Sequence, residues 1–259
     1  MPEGDTIHRA ANRLRPALAD RELTRFEAPR LAGPMPRRGE TIDAVRAHGK
    51  HLVIDFSGGL SLRVHLRMTG SWHLYRIGER WQRSPHAARV VIGTDEWVAV
   101  CFSAPDLAIT RRDAVATDHL GPDLCTPDAD LDAVVVRARR HSATERPIGE
   151  VVMDQRVSSG IGNVYKAEML FAERLDPLTP IGALSDAGLR SLFATAQRQL
   201  LANVDKPGGR TTVAGGYAVY GRAGEPCLRC GTAVERIVQG GDMPRSTYWC
   251  PGCQIRRGS

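Results

Sequence analysis

Four of the six cysteines stand in two pairs, Cys227-Leu-Arg-Cys230 and Cys250-Pro-Gly-Cys253, with 19 residues between them. No other feature constrains the fold as much. Each C-x-x-C knuckle turns two thiolates toward one point, and two knuckles complete a tetrahedron around one zinc ion. The stretches Glu235-Arg236-Ile237-Val238 and Ser246-Thr247-Tyr248-Trp249 lie between the knuckles and are expected to pair as a hairpin. Four thiolates leave no position for a catalytic water, so the zinc is expected to be structural. Cys101 and Cys125 sit in apolar or loop surroundings and read as ordinary buried thiols.

The texture of the rest changes twice. After Pro2-Glu3-Gly4-Asp5, the residues Ile7, Ala10, Ala11, Leu14 and Leu18 recur at helical spacing, with Asp5 as the expected N-cap. From about Leu23 to Val115 short apolar or alternating runs are punctuated by Gly and Pro, the pattern of a β-sandwich or barrel. Leu120-Gly121-Pro122-Asp123 and Thr126-Pro127 read as a linker.

From about Leu131 to Asn203 the period becomes helical, with one helix expected to run to Gln155. Ser158-Ser159-Gly160-Ile161-Gly162 then breaks the pattern, and Asn163 starts a second helix. That turn is either a phosphate site built from backbone N–H groups or an ordinary helical hairpin. Asp205–Gly216 reads as a mobile glycine-rich loop.

With 259 residues, 42% hydrophobic and 25% charged, the composition is that of a soluble globular chain with room for more than one core. No apolar run reaches the length of a membrane helix and no secretory leader is recognisable, so the chain reads as cytoplasmic. Lys and Arg exceed Asp and Glu by 35 − 29 = 6, and the pI is about 9.2. This balance permits a polyanionic partner without requiring one.

Six motifs occur in a fixed order: PEGDT, HGKHL, HLRMTGSW, DQRVSSGIGNVYKAE, YGRAGEPCLRCG and RSTYWCPGCQ. Together they resemble the Fpg/Nei family of bifunctional DNA glycosylases almost from end to end. The resemblance implies an α+β multidomain chain. An N-terminal catalytic β-sandwich with a leading helix would cover residues 1–120. A helix–two-turns–helix DNA-binding domain would cover 121–220, and a four-cysteine zinc finger 221–259. It further implies damaged double-stranded DNA lying across the cleft between domains, and a monomeric enzyme of bacterial, nucleoid-associated type.

The resemblance assigns roles residue by residue. Pro2, once Met1 is removed, would be a secondary amine that attacks the sugar C1′ and forms a Schiff base. An α-amine of pKa ~8 is roughly one-quarter free base at pH 7.5, on the order of 200-fold more than an ordinary lysine. A helix start beside it lowers that pKa further. Glu3 would be the general acid/base. Lys50 would contact phosphate and take part in proton transfer, Asn163 would bind phosphate near the lesion, and Arg245 would grip the same region and assist the final elimination. Arg67 and Met68 fall in the region that fills the gap left by an extruded base, with flexible, apolar Met68 the best candidate for insertion and a core methionine between strands the alternative. Trp72, Tyr75 and Trp81 are open to either reading.

Two departures bear on substrate. Many relatives begin P-E-x-P-E, whereas Asp5 and Thr6 stand here. The guanine-lesion branch carries an Asp-Pro-Arg-Arg-Phe loop, whereas this chain has Ser103-Ala-Pro-Asp-Leu-Ala-Ile-Thr-Arg111-Arg112-Asp113 with no matching Phe. Both departures point to the Nei branch and to oxidised pyrimidines.

Overall fold

The computed structural model describes residues 2–114, 119–206, 210–240 and 244–257. The chain divides into two compact units, Met1–Thr117 and Asp118–Ser259.

Among the described residues of the first unit, helix α1 (Gly4–Leu18) precedes nine strands: β1 (Arg21–Glu22), β2 (Arg25–Glu27), β3 (Thr41–His48), β4 (His51–Phe56), β5 (Leu60–His65), β6 (Ser71–Arg76), β7 (Ala88–Gly93), β8 (Trp97–Phe102) and β9 (Asp106–Arg111). They form two antiparallel sheets, ordered β1-β3-β4-β5-β9 and β2-β7-β8-β6. Period-two alternation sends Ile54 and Phe56 of one sheet, and Val90, Ile92 and Ala99 of the other, into one core. Ile7, Ala11, Leu14 and Leu18 of α1 close the same core, as their helical spacing predicts. The Arg15 Nε–H bond to the Val45 carbonyl, 3.1 Å, ties the helix to β3. On the opposite face of the second sheet, Tyr75, Val91, Val100 and Phe102 pack beneath Trp81. Tyr75 and Trp81 are therefore packing residues, and Trp72 packs against the main core.

Asp5 is not the N-cap. The cap is Glu3, whose extended backbone (φ −126°) lets its carbonyl accept the Thr6 and Ile7 N–H groups. Asp5 lies inside the first turn, buried, and pairs with Arg9 one turn on at 3.5 Å.

The second unit contains α2 (Leu131–Arg140), α3 (Ile148–Val151), α4 (Asn163–Ala172), α5 (Asp186–Val204) and a hairpin of β10 (Glu235–Gln239) and β11 (Arg245–Trp249). Asp130 caps α2 by accepting the Asp132 and Ala133 N–H groups, and Ser185 caps α5. Val134, Ile148, Tyr165, Leu170, Leu192 and Phe193 share its larger core.

Two expectations fail here. The helix expected to reach Gln155 stops at Val151 because Met153 and Asp154 bond back only three residues. Asp154 then accepts the Arg156 N–H and pairs with Arg146 and Arg156, a local alternative to helix. The supposed linker is packed: Leu120, Gly121, Asp123, Leu124 and Cys125 are buried, and Asp123 bridges Ser159 in a short parallel pairing. A Cβ on Gly121 would stand 2.2 Å from the Val157 carbonyl oxygen, so only glycine fits there. Of the glycine-rich loop, 207–209 lie outside the described residues. Its later part is held by reciprocal bonds between Asn203 and Thr211, 2.9 and 3.1 Å.

Candidate active site and nucleic-acid interface

Pro2 immediately precedes α1 and is half-buried, and Glu3 is completely buried at the helix start. Met1 lies outside the described residues. The start of an α-helix carries partial positive charge, and Pro2 and Glu3 both stand at it. With Met1 removed, Pro2 would offer a secondary amine beside the buried carboxyl group of Glu3, a pair able to attack an electrophilic carbon and exchange a proton.

Lys50 occupies the two-residue turn between β3 and β4, where Gly49 takes φ +54°. That turn also presents a cluster that no sequence pattern announces. His51 and His65 face each other across β4 and β5, their rings edge to face with centroids 4.9 Å apart. Arg63 donates to His51 Nδ1 at 3.1 Å, and the Arg67 backbone N–H donates to His65 Nδ1 at 3.1 Å. Both rings are thus fixed with Nδ1 unprotonated. Burial first, and then the neighbouring positive charges, hold His51 down to about 3 and His65 to about 4.

Asp106, at the start of β9, accepts from Arg67 at 2.8 Å and from Arg63 at 3.4 Å. Burial would raise its pKa, but the Arg67 bond and the two guanidinium charges outweigh burial and lower it.

Met68 is 63% exposed, which excludes the core reading. Arg67 beside it has φ +51°, a left-handed conformation costing a non-glycine residue roughly 1–2 kcal/mol. Arg112 is tied to Asp43 and to the Phe56 carbonyl, so it braces the sheet, while Arg111 stays exposed beside Asp113.

In the second unit, Asn163 is the first residue of α4, after Gly162 as N-cap. Its Nδ2 donates to the Ser246 carbonyl at 2.7 Å, and its Oδ1 is buried with no partner among the described residues. An amide nitrogen has two hydrogens, so this contact leaves a second donor. Lys166, one turn on, is 1% exposed and donates to Thr247 Oγ1 at 2.7 Å. Thr247 donates to Gln239 Oε1 at 2.7 Å, and Gln239 Nε2 to the Pro177 carbonyl at 3.1 Å. This chain of polar groups runs from α4 through both strands of the hairpin whose second strand begins at exposed Arg245. Residues 241–243, between the strands, lie outside the described residues. The Ser158–Gly162 turn is buried, and its Ser159 N–H bonds the Pro122 carbonyl.

Glu168 is also buried and accepts the N–H groups of Ala218, Val219 and Tyr220 at 2.8–2.9 Å, fixing the segment that enters the cysteine module. The Sγ atoms of Cys227, Cys230, Cys250 and Cys253 all lie within 4.8 Å of one another. Zn–S bonds of about 2.3 Å place tetrahedral sulfurs on the order of 3.8 Å apart. The Cys227–Cys253 and Cys230–Cys250 separations of 3.9 and 3.5 Å fit that edge, so the four thiolates suit one structural zinc.

The sequence matches three family descriptions in order: the formamidopyrimidine-DNA glycosylase N-terminal domain over residues 1–106, its H2TH domain over 120–214, and the zinc finger found in FPG and IleRS over 224–255. "Probable endonuclease 8 2" of Streptomyces coelicolor is 45% identical, covering 98% of this chain and 94% of the relative. "DNA-(apurinic or apyrimidinic site) lyase Nei2" of Mycolicibacterium smegmatis is 39% identical over 98% of this chain and 99% of the relative. Among solved structures, the MutM (Fpg) protein of Thermus thermophilus superposes with TM-score 0.79 at 27% identity, covering 99% of this chain and 100% of that one.

Proposed function

The chain belongs to the Fpg/Nei family of DNA glycosylases with AP-lyase activity, on its Nei-like side, and from that premise we propose that Pro2 is its nucleophile and an oxidised pyrimidine its preferred lesion. The observation that carries this reading is the half-buried Pro2 at the start of α1 with the buried Glu3 beside it.

The Pro2 nitrogen attacks C1′ as the glycosidic bond breaks, and the proton that the nitrogen loses leaves with the base. Glu3, in its protonated form, gives its proton to the sugar ring oxygen, the ring opens, and the C1′–N bond becomes an iminium. The iminium acidifies C2′–H. Loss of that proton expels the 3′ phosphate, and a second elimination expels the 5′ phosphate. Lys50 serves proton transfer and phosphate contact in these steps. Asn163 and Arg245 hold phosphate, with Arg245 assisting the second elimination, and Met68 with Arg67 fills the space of the extruded base. The zinc finger is structural: its zinc, when bound, holds the two knuckles and hence the Arg245 hairpin in shape.

The substrate is read as damaged double-stranded DNA and the working form as a cytoplasmic, nucleoid-associated monomer. Within this reading the catalytic sandwich covers residues 1–120, the DNA-binding helical domain 121–220 and the finger 221–259. The lesion class rests on Asp5-Thr6 and on the absence of the Asp-Pro-Arg-Arg-Phe loop.

Borohydride trapping on an abasic duplex, with intact-mass analysis of the N-terminus, tests the nucleophile. A protein lacking Met1 is expected to form a covalent adduct, and none should form with Pro2 acetylated. A Met1-free protein that forms no adduct refutes the Pro2 mechanism. Faster cleavage of thymine-glycol or dihydrouracil duplexes than of 8-oxoguanine paired with cytosine is expected. The reverse order reassigns the chain to guanine lesions.

A further inference from the structure

The turn carrying Met68 is held from outside itself. Its backbone closes through the Gly70 N–H bond to the Leu66 carbonyl, 2.9 Å. A Cβ on Gly70 would lie 2.6 Å from that oxygen, so the closure requires glycine. Arg67 keeps a left-handed φ of +51°, a shape an arginine does not hold by preference.

Three bonds compensate. The Arg67 N–H reaches His65 Nδ1 at 3.1 Å, the Arg67 guanidinium reaches Asp106 Oδ2 at 2.8 Å, and Thr69 Oγ1–H reaches the Ser103 carbonyl at 2.9 Å. Two of these end on the connection from β8 to β9 or on the first residue of β9. Ser103, at the other end of that connection, is itself left-handed at φ +54°. The two loops brace one another, and Met68 stands exposed between the braced points.

We propose that Asp106 is a positioning residue for base extrusion: by holding the Arg67 guanidinium it fixes the turn of residues 66–70 and so presents Met68 ready for insertion. The proposal rests on the reading of Met68 as the inserting side chain.

Asp106 is three-quarters buried and shared by two guanidinium groups, Arg63 from β5 and Arg67 from the turn. This pairing is firmer than an exposed ion pair, because Arg63 keeps the carboxylate aligned while Arg67 uses it. Without the carboxylate the Arg67 backbone relaxes toward an ordinary φ, and the turn samples shapes in which Met68 points elsewhere. The apparent affinity for an intercalated state then falls by the fraction of molecules still correctly shaped.

An abasic nucleotide has no base to extrude, so the turn's order matters less for cleaving a preformed abasic site. The test compares single-turnover excision of a damaged base with cleavage of an abasic duplex by the same full-length protein, its active fraction counted by borohydride trapping. The ratio of the two rates is expected to fall about tenfold in Asp106→Ala. It should fall less in Asp106→Asn, which keeps an acceptor without the charge. Met68→Ala should lower the ratio similarly, and the double variant should fall no further than Met68→Ala alone, because both act through one side chain.

An unchanged ratio in both Asp106 variants beside a lowered one in Met68→Ala overturns the proposal. So does a double variant in which the two losses multiply. An unchanged ratio in Met68→Ala removes the wedge reading itself, and the proposal with it.

Discussion

His51 and His65 show how far a residue's neighbours can override its nature. In water each would titrate near neutrality, yet burial and adjacent guanidinium groups hold them at about 3 and about 4. Each Nδ1 is an acceptor in place, so a proton there would set N–H against N–H. The groups facing them come from every neighbouring element: Lys50 and His48 from the β3–β4 hairpin, Arg63 from β5, Arg67 from the turn, and Asp106 from β9. In the unfolded chain both protonate near pH 6.5. Their contribution to stability is therefore intact above that value and is lost as pH falls from 6.5 toward 4, because only the unfolded chain takes up the protons. Urea unfolding of the first unit between pH 7.5 and 4.5 should show stability falling toward acid. The slope is at most about 1.4 kcal/mol per pH unit for each histidine. His65→Asn, whose amide oxygen replaces Nδ1, should flatten it. Asp106 and Asp154 act in another window: their depressed pKa values, about 2 for Asp154, remove stability only below the ordinary carboxylate range, so they leave this interval to the histidines.

Among the elements, α4 has the least ordinary composition for its burial. Nine of its residues, from Asn163 to Phe171, are buried, including Lys166 and Glu168. A charged pair in such a helix is tolerated only with strong partners. Here the partners lie far along the chain: Thr247 is 81 residues from Lys166, and Ala218 is 50 residues from Glu168. For that reason neither role was legible in the sequence, which showed only a helical period with charges in it. The hairpin was legible, because its registration is local and the knuckles announce its ends. The end of α3 was not, because Asp154 diverts the backbone through contacts with Arg146 and Arg156. Lys166→Met should therefore destabilise the second unit by about 1–3 kcal/mol, since Thr247 loses its buried donor. The four cysteines remain, so zinc content by elemental analysis should stay at one ion per chain while thermal unfolding shifts downward. A variant that loses zinc with the lysine would show that α4 builds the metal site and does not merely dock it.

At the scale of the whole molecule, the order sandwich, helices and finger could be read directly, because each has its own periodicity and the cysteines close the last. Buried Leu120–Cys125 has the composition of a linker, yet its backbone groups are satisfied by a partner segment at Ser159, a pairing no local pattern reveals. Of the proposed site, the chemically distinctive residues Pro2, Glu3, Lys50, Asn163 and Arg245 stood out through motif resemblance, whereas the supporting shell of His51, His65, Arg63 and Asp106 emerged only from strand register. That division carries into how DNA binding should respond to salt. A net charge of +6 spread over 35 basic and 29 acidic residues says little about which cations meet phosphate. Each phosphate neutralised contributes about −0.9 to the slope of log affinity against log salt. Lys50→Ala and Arg245→Ala should each make that slope shallower by about 0.9 on an abasic-analogue duplex. Met68→Ala, which removes an apolar contact, should weaken binding at every salt concentration and leave the slope unchanged. Fluorescence titrations between 50 and 300 mM salt (roughly the range over which such slopes are read) distinguish these outcomes. A slope that stays at the wild-type value in Arg245→Ala would remove this arginine from the phosphate contacts and leave the finger without its proposed part in gripping DNA.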